Sequence, residues 1–497
     1  MARLGRPAPD GPADRTTQRE HGAYYTPPAL VQFLVDVATL LGAGGSARFA
    51  PRRILDPSCG DGRVLAACRG RWPGAALQGW DIDPAAVEAT RALGIPAELR
   101  DGLLGPDDGV RHDLVIGNPP FLGQLQGSTV QTPDRAKALR ERFSGMLGAY
   151  TDTAAMFLLR ASEVGQVVVL VQPISTLAAR DAADIRGALG PRLGALWVSR
   201  ARMFEDAGVE VCVVGLNPAG APASPLLRWV GPDFAALPPL LECPPGATWS
   251  PLIPEGFGLP AFEPVTSSTL ADLATATADF RDEYYALSEH VREAEPGDQP
   301  VIVSGHIDPG LCLWGEATVR LNKRAWVRPA VPPGTVLPGR LGGWVARRSV
   351  PKVLLAAQSR VLEAFADPDG RYLPVTPVVT VQPRNRADVW RVLAVLLSPF
   401  ATAWALREYG GTGMSGGAIK LAAKQVCRMP LPAVGEAWDR AAARLQAGEL
   451  HIAAEMDAAY GVDLAGWYSG RANGRSTAGP DRATGDDSPP PPTQTFE

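Results

Sequence analysis

Short apolar runs alternate with amphipathic stretches along the first half of the chain. Arg53-Ile54-Leu55, Leu77-Gln78-Gly79-Trp80, Ala97-Glu98-Leu99-Arg100 and Leu114-Val115-Ile116-Gly117 are too short for helices and stop at turn-forming residues, so each reads as a strand. Residues 63–69 carry helical spacing, as do 84–93, where Pro84 suits a first turn and Asp83 its cap. Further on, 150–164 and 181–189 read as helices, and 166–171, 195–199 and 209–216 as strands. Thr26-Pro27 has the form of an N-cap and first residue for a helix over 29–41. This alternation predicts an α/β fold built on a doubly wound, Rossmann-like parallel sheet.

Candidate chemistry lies where these strands stop. The first is followed by Asp56-Pro57-Ser58-Cys59-Gly60-Asp61-Gly62, so that strand, glycine turn and helix form half a nucleotide-binding unit. Gly60 and Gly62 let the backbone approach a ligand, and Asp56 can meet a cationic amine. The turn is not a phosphate cradle: no lysine follows the glycines, and its two carboxylates would repel phosphate. The second strand ends at Asp81-Ile82-Asp83, where an acid about twenty residues past the glycine loop accepts hydrogen bonds from two ribose hydroxyls. Asp81 is the candidate, with Ile82 on the adenine face. Asp101 closes the third strand, either as acceptor for an adenine amine or as a solvated loop residue.

The fourth strand runs into Asn118-Pro119-Pro120-Phe121. Two prolines fix the dihedrals, so the Asn118 side-chain oxygen and the Pro119 carbonyl can converge on one NH2 group while Phe121 offers a stacking face. An amine conjugated to a heteroaromatic ring is a poor nucleophile, and two acceptors on its hydrogens localise its lone pair. Taken alone, Asn-Pro-Pro also suits a plain strand-to-loop turn. With three acid-tipped strands beside it, it lines one crevice at the carboxyl edge of a parallel sheet, a site for a nucleoside carrying an amino acid.

At these positions the chain resembles the S-adenosylmethionine-dependent N6-adenine DNA methyltransferases, in particular the TaqI-like group, whose recognition domain follows the catalytic one. His21-Gly22-Ala23-Tyr24-Tyr25-Thr26-Pro27 resembles the family's amino-terminal cofactor motif, 56–62 its glycine loop, Asp81-Ile82-Asp83 its ribose-binding strand and 118–121 its catalytic tetrapeptide. Residues 203–216 resemble the hairpin that helps hold a flipped base. The resemblance implies a methyltransferase sheet in which Thr26 and Asp56 meet the methionine part of S-adenosylmethionine, Asp81 its ribose and Asp101 its adenine. Pro57, Cys59, Gly60 and Ile82 complete that pocket. Asn118 and Pro119 would bind the target amine, Pro120 shape the turn, and Phe121 stack on the extruded base. Position 81 is Asp where relatives often carry Glu, and 121 is Phe where adenine enzymes frequently carry Tyr. Asn-Pro-Pro-Phe also occurs in enzymes that methylate guanine in ribosomal RNA. The alternative is therefore a methyltransferase for another exocyclic amine or amide, rRNA guanine N2 or a protein glutamine.

These motifs occupy less than half of the 497 residues, so a second domain is expected. The expected division is an amino-terminal arm at 1–20, disordered by composition, a catalytic domain at 21–225, a linker and mixed α+β DNA-recognition domain at 226–465, and a disordered tail at 466–497. The segment 122–149, glycine-rich and directly after the tetrapeptide, reads as a mobile loop closing over substrate. Between 301 and 435 there are 17 Lys and Arg against 7 Asp and Glu, while the whole chain has 48 against 52. The window is thus +10 and the remainder, 31 minus 45, is −14. A basic domain on an acidic protein points to a localised polyanion-binding face, for double-stranded DNA under this reading. Lys323, Arg324, Arg328, Arg347, Arg348 and Lys352, interleaved with aromatics, are its candidate contacts.

The most apolar stretch, 392–406, is interrupted by Ser398, Pro399 and Thr402 and falls short of the ~20 residues that span a bilayer. The polar first 20 residues contain no apolar signal core, so a cytoplasmic protein is expected. Six scattered cysteines and five histidines show no metal-ligand spacing, and no metal is expected. No nuclease motif is evident, so a restriction partner would be a separate polypeptide.

Overall fold

The computed structural model describes residues 26–43, 49–106, 109–121, 132–148, 151–199, 210–217, 226–231, 234, 236–242, 249, 257–263, 266–278, 281–335, 341–412 and 417–473. They form two compact units that divide between 252 and 253.

In the first unit the strands β1 (Arg53–Asp56), β2 (Ala76–Asp81), β3 (Ala97–Leu99), β4 (His112–Gly117), β5 (Gly165–Pro173), β6 (Leu193–Ser199), β7 (Val211–Leu216), β8 (Leu226–Val230) and β9 (Ala236–Glu242) make one sheet in the order 3-2-1-4-5-7-6-8-9. β1 to β5 run parallel, and β7 inserts antiparallel between β5 and β6. The helices are α1 (Pro28–Ala43), α2 (Arg63–Arg71), α3 (Pro84–Ala92), α4 (Pro133–Arg142), α5 (Thr153–Val164) and α6 (Ala183–Leu189). Val167, Val169 and Val171 of β5 face a cluster with Leu30 and Leu34 of α1 and Leu65 of α2. On the opposite side Gln172 donates to the Ala154 carbonyl of α5 at 3.0 Å. Helices on both faces explain why the strands are continuously apolar rather than alternating. The doubly wound α/β sheet is the predicted fold class.

Four expectations change. A proline-rich connection was expected over 218–260, with 226–230 and 237–241 as short ordered pieces within it; these are β8 and β9, and β8 pairs in parallel with β6 and β9 antiparallel with β8, so both extend the first sheet rather than the second domain. Proline spacing there marked turns, while pairing to an open sheet edge decided strand. The segment after the tetrapeptide is not all loop: α4 starts at Pro133, with Thr132 Oγ1 accepting from Arg135 N at 3.2 Å as its cap. Residues 122–131 lie outside the described residues. The carboxyl-terminal order reaches beyond 465, because a helix spans Ala465–Asn473 and Trp467 Nε1 donates to the Phe257 carbonyl at 2.9 Å. Finally, α1 begins at Pro28 and its first turn closes from Val31 N to the Pro27 carbonyl, so Thr26 is not its cap.

The second unit is mixed α+β. Ala274–Ala278, Val378–Pro383, Lys352–Ala356 and Ala364–Asp367 form a four-stranded antiparallel sheet in that order. Helices Val389–Leu397 and Pro399–Tyr409 are almost wholly buried, and Phe400 stacks on Tyr460 at 4.0 Å between centroids. Among the described residues no single helix is long and apolar enough to cross a membrane.

Candidate active site

The order β3-β2-β1-β4 puts Asp101, Asp81, Asp56 and Asn118 side by side at the carboxyl edge of the sheet, neighbouring strands being ~4.8 Å apart. Asp56 ends β1 and is 1% exposed. Its Oδ1 accepts from Ser58 N at 3.1 Å. Burial away from water, with the charges of Asp81 and Asp61 nearby, pushes its carboxyl up from 3.8 to about 8 despite that hydrogen bond. A buried, nearly neutral carboxyl at the carboxyl edge of the sheet suits a cationic partner, whose arrival would ionise it.

Asp81 laces the glycine loop to β2. Its Oδ2 accepts from Gly60 N at 2.9 Å and its Oδ1 from Asp83 N at 3.0 Å, while burial raises its carboxyl. Cys59 N donates to the Trp80 carbonyl and Thr90 Oγ1 to the Gly60 carbonyl. Gly60 and Gly62 have φ of 53° and 76°, left-handed values that favour glycine and turn the chain sharply into α2. Ile82 is 40% exposed, an apolar face beside Asp81. Pro57 and Cys59 are buried beneath the loop.

Asp101 reaches the same edge with its carboxylate engaged. Oδ1 accepts from Leu103 N at 2.9 Å and Leu104 N at 3.2 Å, and Oδ2 pairs with Arg135 Nε of α4 at 3.0 Å. An adenine amine at this edge would share Oδ2 with Arg135.

The half-buried Asn118 donates Nδ2 to Thr26 Oγ1 at 3.1 Å. The amide is thereby oriented with nitrogen toward α1 and Oδ1 turned the other way. Arg63 holds the Thr26 backbone, donating to its carbonyl at 2.8 Å while its Nε grips Asp61. Thr153 Oγ1, at the start of α5, donates to the Pro120 carbonyl at 2.9 Å and anchors the turn. Pro119 is buried, and Phe121 is half-buried against the α1 side of the core. A Cβ at Gly117 would come within 2.4 Å of Asp56 Oδ1, so the strand leading to Asn118 packs directly on the acid of β1.

The structure places Asp56, Asp81 and Asn118 at one edge of the sheet, with Thr26 bonded to Asn118. Thr90, Gly117, Arg135 and Thr153 were missed. The only trace of them in the sequence is that each lies within a few residues of a helix or strand end, a signal too common to single them out. Residues 203–209, the base-holding hairpin of the sequence analysis, lie outside the described residues, as do 21–25.

In the second unit Lys323, Arg324, Arg328 and Arg347 are exposed and Arg348 is half-buried. Lys352 is not a surface cation. It is 0% exposed and paired with Asp367, which also accepts from Arg371 N and Tyr372 N. A central strand of an antiparallel sheet turned this side chain inward, which the composition of the segment did not reveal.

The fold is the α/β fold of S-adenosylmethionine-dependent methyltransferases. The cofactor implied is S-adenosylmethionine, and a buried acid, a second acid and an exposed apolar side chain stand at Asp56, Asp81 and Ile82. No family model matches the chain. Among curated proteins it is 34% identical over 100 residues to a trans-aconitate 2-methyltransferase of Mycobacterium sp. (strain KMS), covering 20% of this chain and 35% of that protein. It is 32% identical over 79 residues to the type II methyltransferase M.CvrRI of Paramecium bursaria Chlorella virus XZ-6E, covering 16% and 21%. The chain thus spans less than two fifths of the length of these curated relatives. Over 86% of this chain and 54% of the other, the fold is similar to a nuclease-deletion mutant of the type ISP restriction-modification enzyme LlaGI in complex with a DNA substrate mimic, at a TM-score of 0.53 and 11% identity.

Proposed function

We propose that the chain is a sequence-specific DNA methyltransferase that moves a methyl group from S-adenosylmethionine to N6 of an adenine extruded from double-stranded DNA, as part of a restriction-modification or defence system. The observation that carries this reading is the oriented amide of Asn118, held by Thr26 one strand away from the buried acid Asp56. S-adenosylmethionine supplies, when bound, an electrophilic methyl on a sulfonium. Asp56 would pair with its ammonium, Asp81 with its ribose, Ile82 would cover its adenine, and the adenine amine would share Asp101 with Arg135. Asn118 Oδ1 and the Pro119 carbonyl accept the two N6 hydrogens and direct the nitrogen lone pair, while Phe121 stacks on the base. Transfer of that methyl to N6 would leave the cofactor as a neutral thioether, and one N6 proton would pass to solvent from the amine held by Asn118 and Pro119. Extrusion costs a few kcal/mol, supplied by binding of duplex to the second unit, which serves as target recognition domain.

Three things support DNA as the substrate: the charge excess of 301–435, the type II methyltransferase relative, and a similar fold in a complex with a DNA substrate mimic. The test is mass spectrometry of nucleosides from a host expressing the chain, beside Asn118→Ala. N6-methyladenine is expected in DNA with the native chain only. Methyl label in ribosomal RNA or protein glutamine, with none in DNA, would replace this reading by the alternative amine or amide substrates.

A further inference from the structure

The second unit carries a stiff cationic hairpin. Val319–Leu321 pairs antiparallel with Arg324–Trp326, Leu321 opposite Arg324, across a two-residue turn of Asn322 and Lys323. Both turn residues are left-handed, with φ of 49° and 62°, as a type I′ turn requires. Asparagine suits the first position, but the second strongly favours glycine, and lysine there stores backbone strain. A turn selected only for stability would read Asn-Gly.

The base of the hairpin is fixed. Val319 and Leu321 are buried in a core with Leu341 and Trp344. Trp326 Nε1 donates to the Leu321 carbonyl at 3.0 Å, and the Glu293 carboxylate accepts from Val327 N at 2.9 Å and Arg328 N at 3.0 Å. Above that base Arg320, Lys323, Arg324 and Arg328 are exposed, and among the described residues none of them forms an ion pair.

We propose that this hairpin enters the major groove of duplex DNA, with Lys323 and Arg324 at base edges and Arg320 and Arg328 on the flanking phosphates. The proposal rests on the DNA reading above and deepens it by naming the inserted element. A two-stranded ribbon fits the major groove of B-form DNA, about 12 Å wide, whereas the deep, narrow major groove of A-form RNA does not admit one. The strained apex is explained if lysine is kept there for what it touches rather than for how it folds.

Lys323→Gly separates the two roles because its effects have opposite signs. In the full-length chain the melting midpoint should rise by about a degree or more as glycine relieves the left-handed position, while duplex affinity falls at least about fivefold. Arg320→Ala and Arg328→Ala should each lower the slope of log affinity against log salt by about 0.9, read by fluorescence anisotropy on duplex between about 50 and 200 mM salt. S-adenosylmethionine binding should be unchanged in all three. If Lys323→Gly unfolds the hairpin, the two arginine variants decide alone. Native affinity and slope in those variants would overturn the hairpin while leaving the DNA reading intact. Double-stranded RNA bound as tightly as DNA would overturn groove insertion, and a native chain that binds no duplex would remove both readings.

Discussion

Asn118 and Thr26 stand 92 positions apart and meet through a 3.1 Å hydrogen bond from Nδ2 to Oγ1. An amide that can flip presents a donor or an acceptor to its substrate, and only the acceptor can draw on an amine hydrogen. In this structure Thr26 Oγ1 accepts from Nδ2, which turns Oδ1 the other way. Thr26→Val, which keeps the shape and removes the hydroxyl, should lower kcat about tenfold or more. Its KM for duplex should stay near native, and Thr26→Ser should restore turnover. Asn118→Ala should abolish methyl transfer with duplex and cofactor binding retained. Equal loss of binding and turnover in Thr26→Val would mean the hydroxyl is structural.

Gly117 packs the strand that leads to Asn118 directly against Asp56. A methyl group there would meet Asp56 Oδ1 at 2.4 Å, and neither partner has room to retreat because β1 and β4 are adjacent core strands. Gly117→Ala should therefore weaken S-adenosylmethionine binding and cost about 1–3 kcal/mol of stability. Titration calorimetry and thermal melting measure both, and native affinity in the alanine variant would refute the coupling.

The carboxyl of Asp56 is raised from 3.8 to about 8, chiefly by burial. The folded chain then holds a proton that the unfolded chain has released. This group's contribution to stability is complete below the unfolded value and is lost as pH climbs from about 4 to about 8. The melting midpoint of the cofactor-free chain should fall over that window, and less in Asp56→Asn. Binding an ammonium favours the carboxylate, so S-adenosylmethionine should bind more tightly as pH rises toward 8 and release a proton at pH 7. Calorimetry in two buffers of different ionisation heat reads that proton. Its absence would remove Asp56 as the ammonium partner.

Lys352 and Asp367 are 0% and 1% exposed and form a buried ion pair inside the second unit's sheet. Lys352→Met leaves the Asp367 charge without its partner and should destabilise that unit by about 3–5 kcal/mol. The double variant with Asp367→Asn should recover part of the loss, because no unpaired charge is then buried and the amide oxygen can still accept from one of the two backbone donors, Arg371 N or Tyr372 N. Urea melts followed by tryptophan fluorescence report this. A single variant as stable as the native chain would show the pair to be dispensable.

The parallel core of the fold was legible in the chain because its signals are local. A run such as Leu114-Val115-Ile116-Gly117 cannot lie on a surface on either side, and glycines at 60 and 62 announce a turn that other residues resist. Asp83 declared itself as a cap, and its side chain does accept from Ala85 N at 2.9 Å. Less was legible where the deciding partner is distant. Residues 226–242 looked like a connection until the edge at β6 paired with them, and 133–142 lacked an apolar stripe strong enough to mark a helix.

The sequence by itself determined which residue types end each strand, and with them the chemistry that a crevice at the carboxyl edge would offer. Only tertiary structure decided which of those groups are neighbours, which are already engaged, and which are hidden. Asp101 is tied to Arg135, Asn118 is turned by Thr26, and Lys352 is folded inward onto Asp367. The reason is range. Backbone preference and hydrophobic period act over a few residues, whereas desolvation, orientation and ion pairing depend on groups that chain folding brings together from tens of positions away.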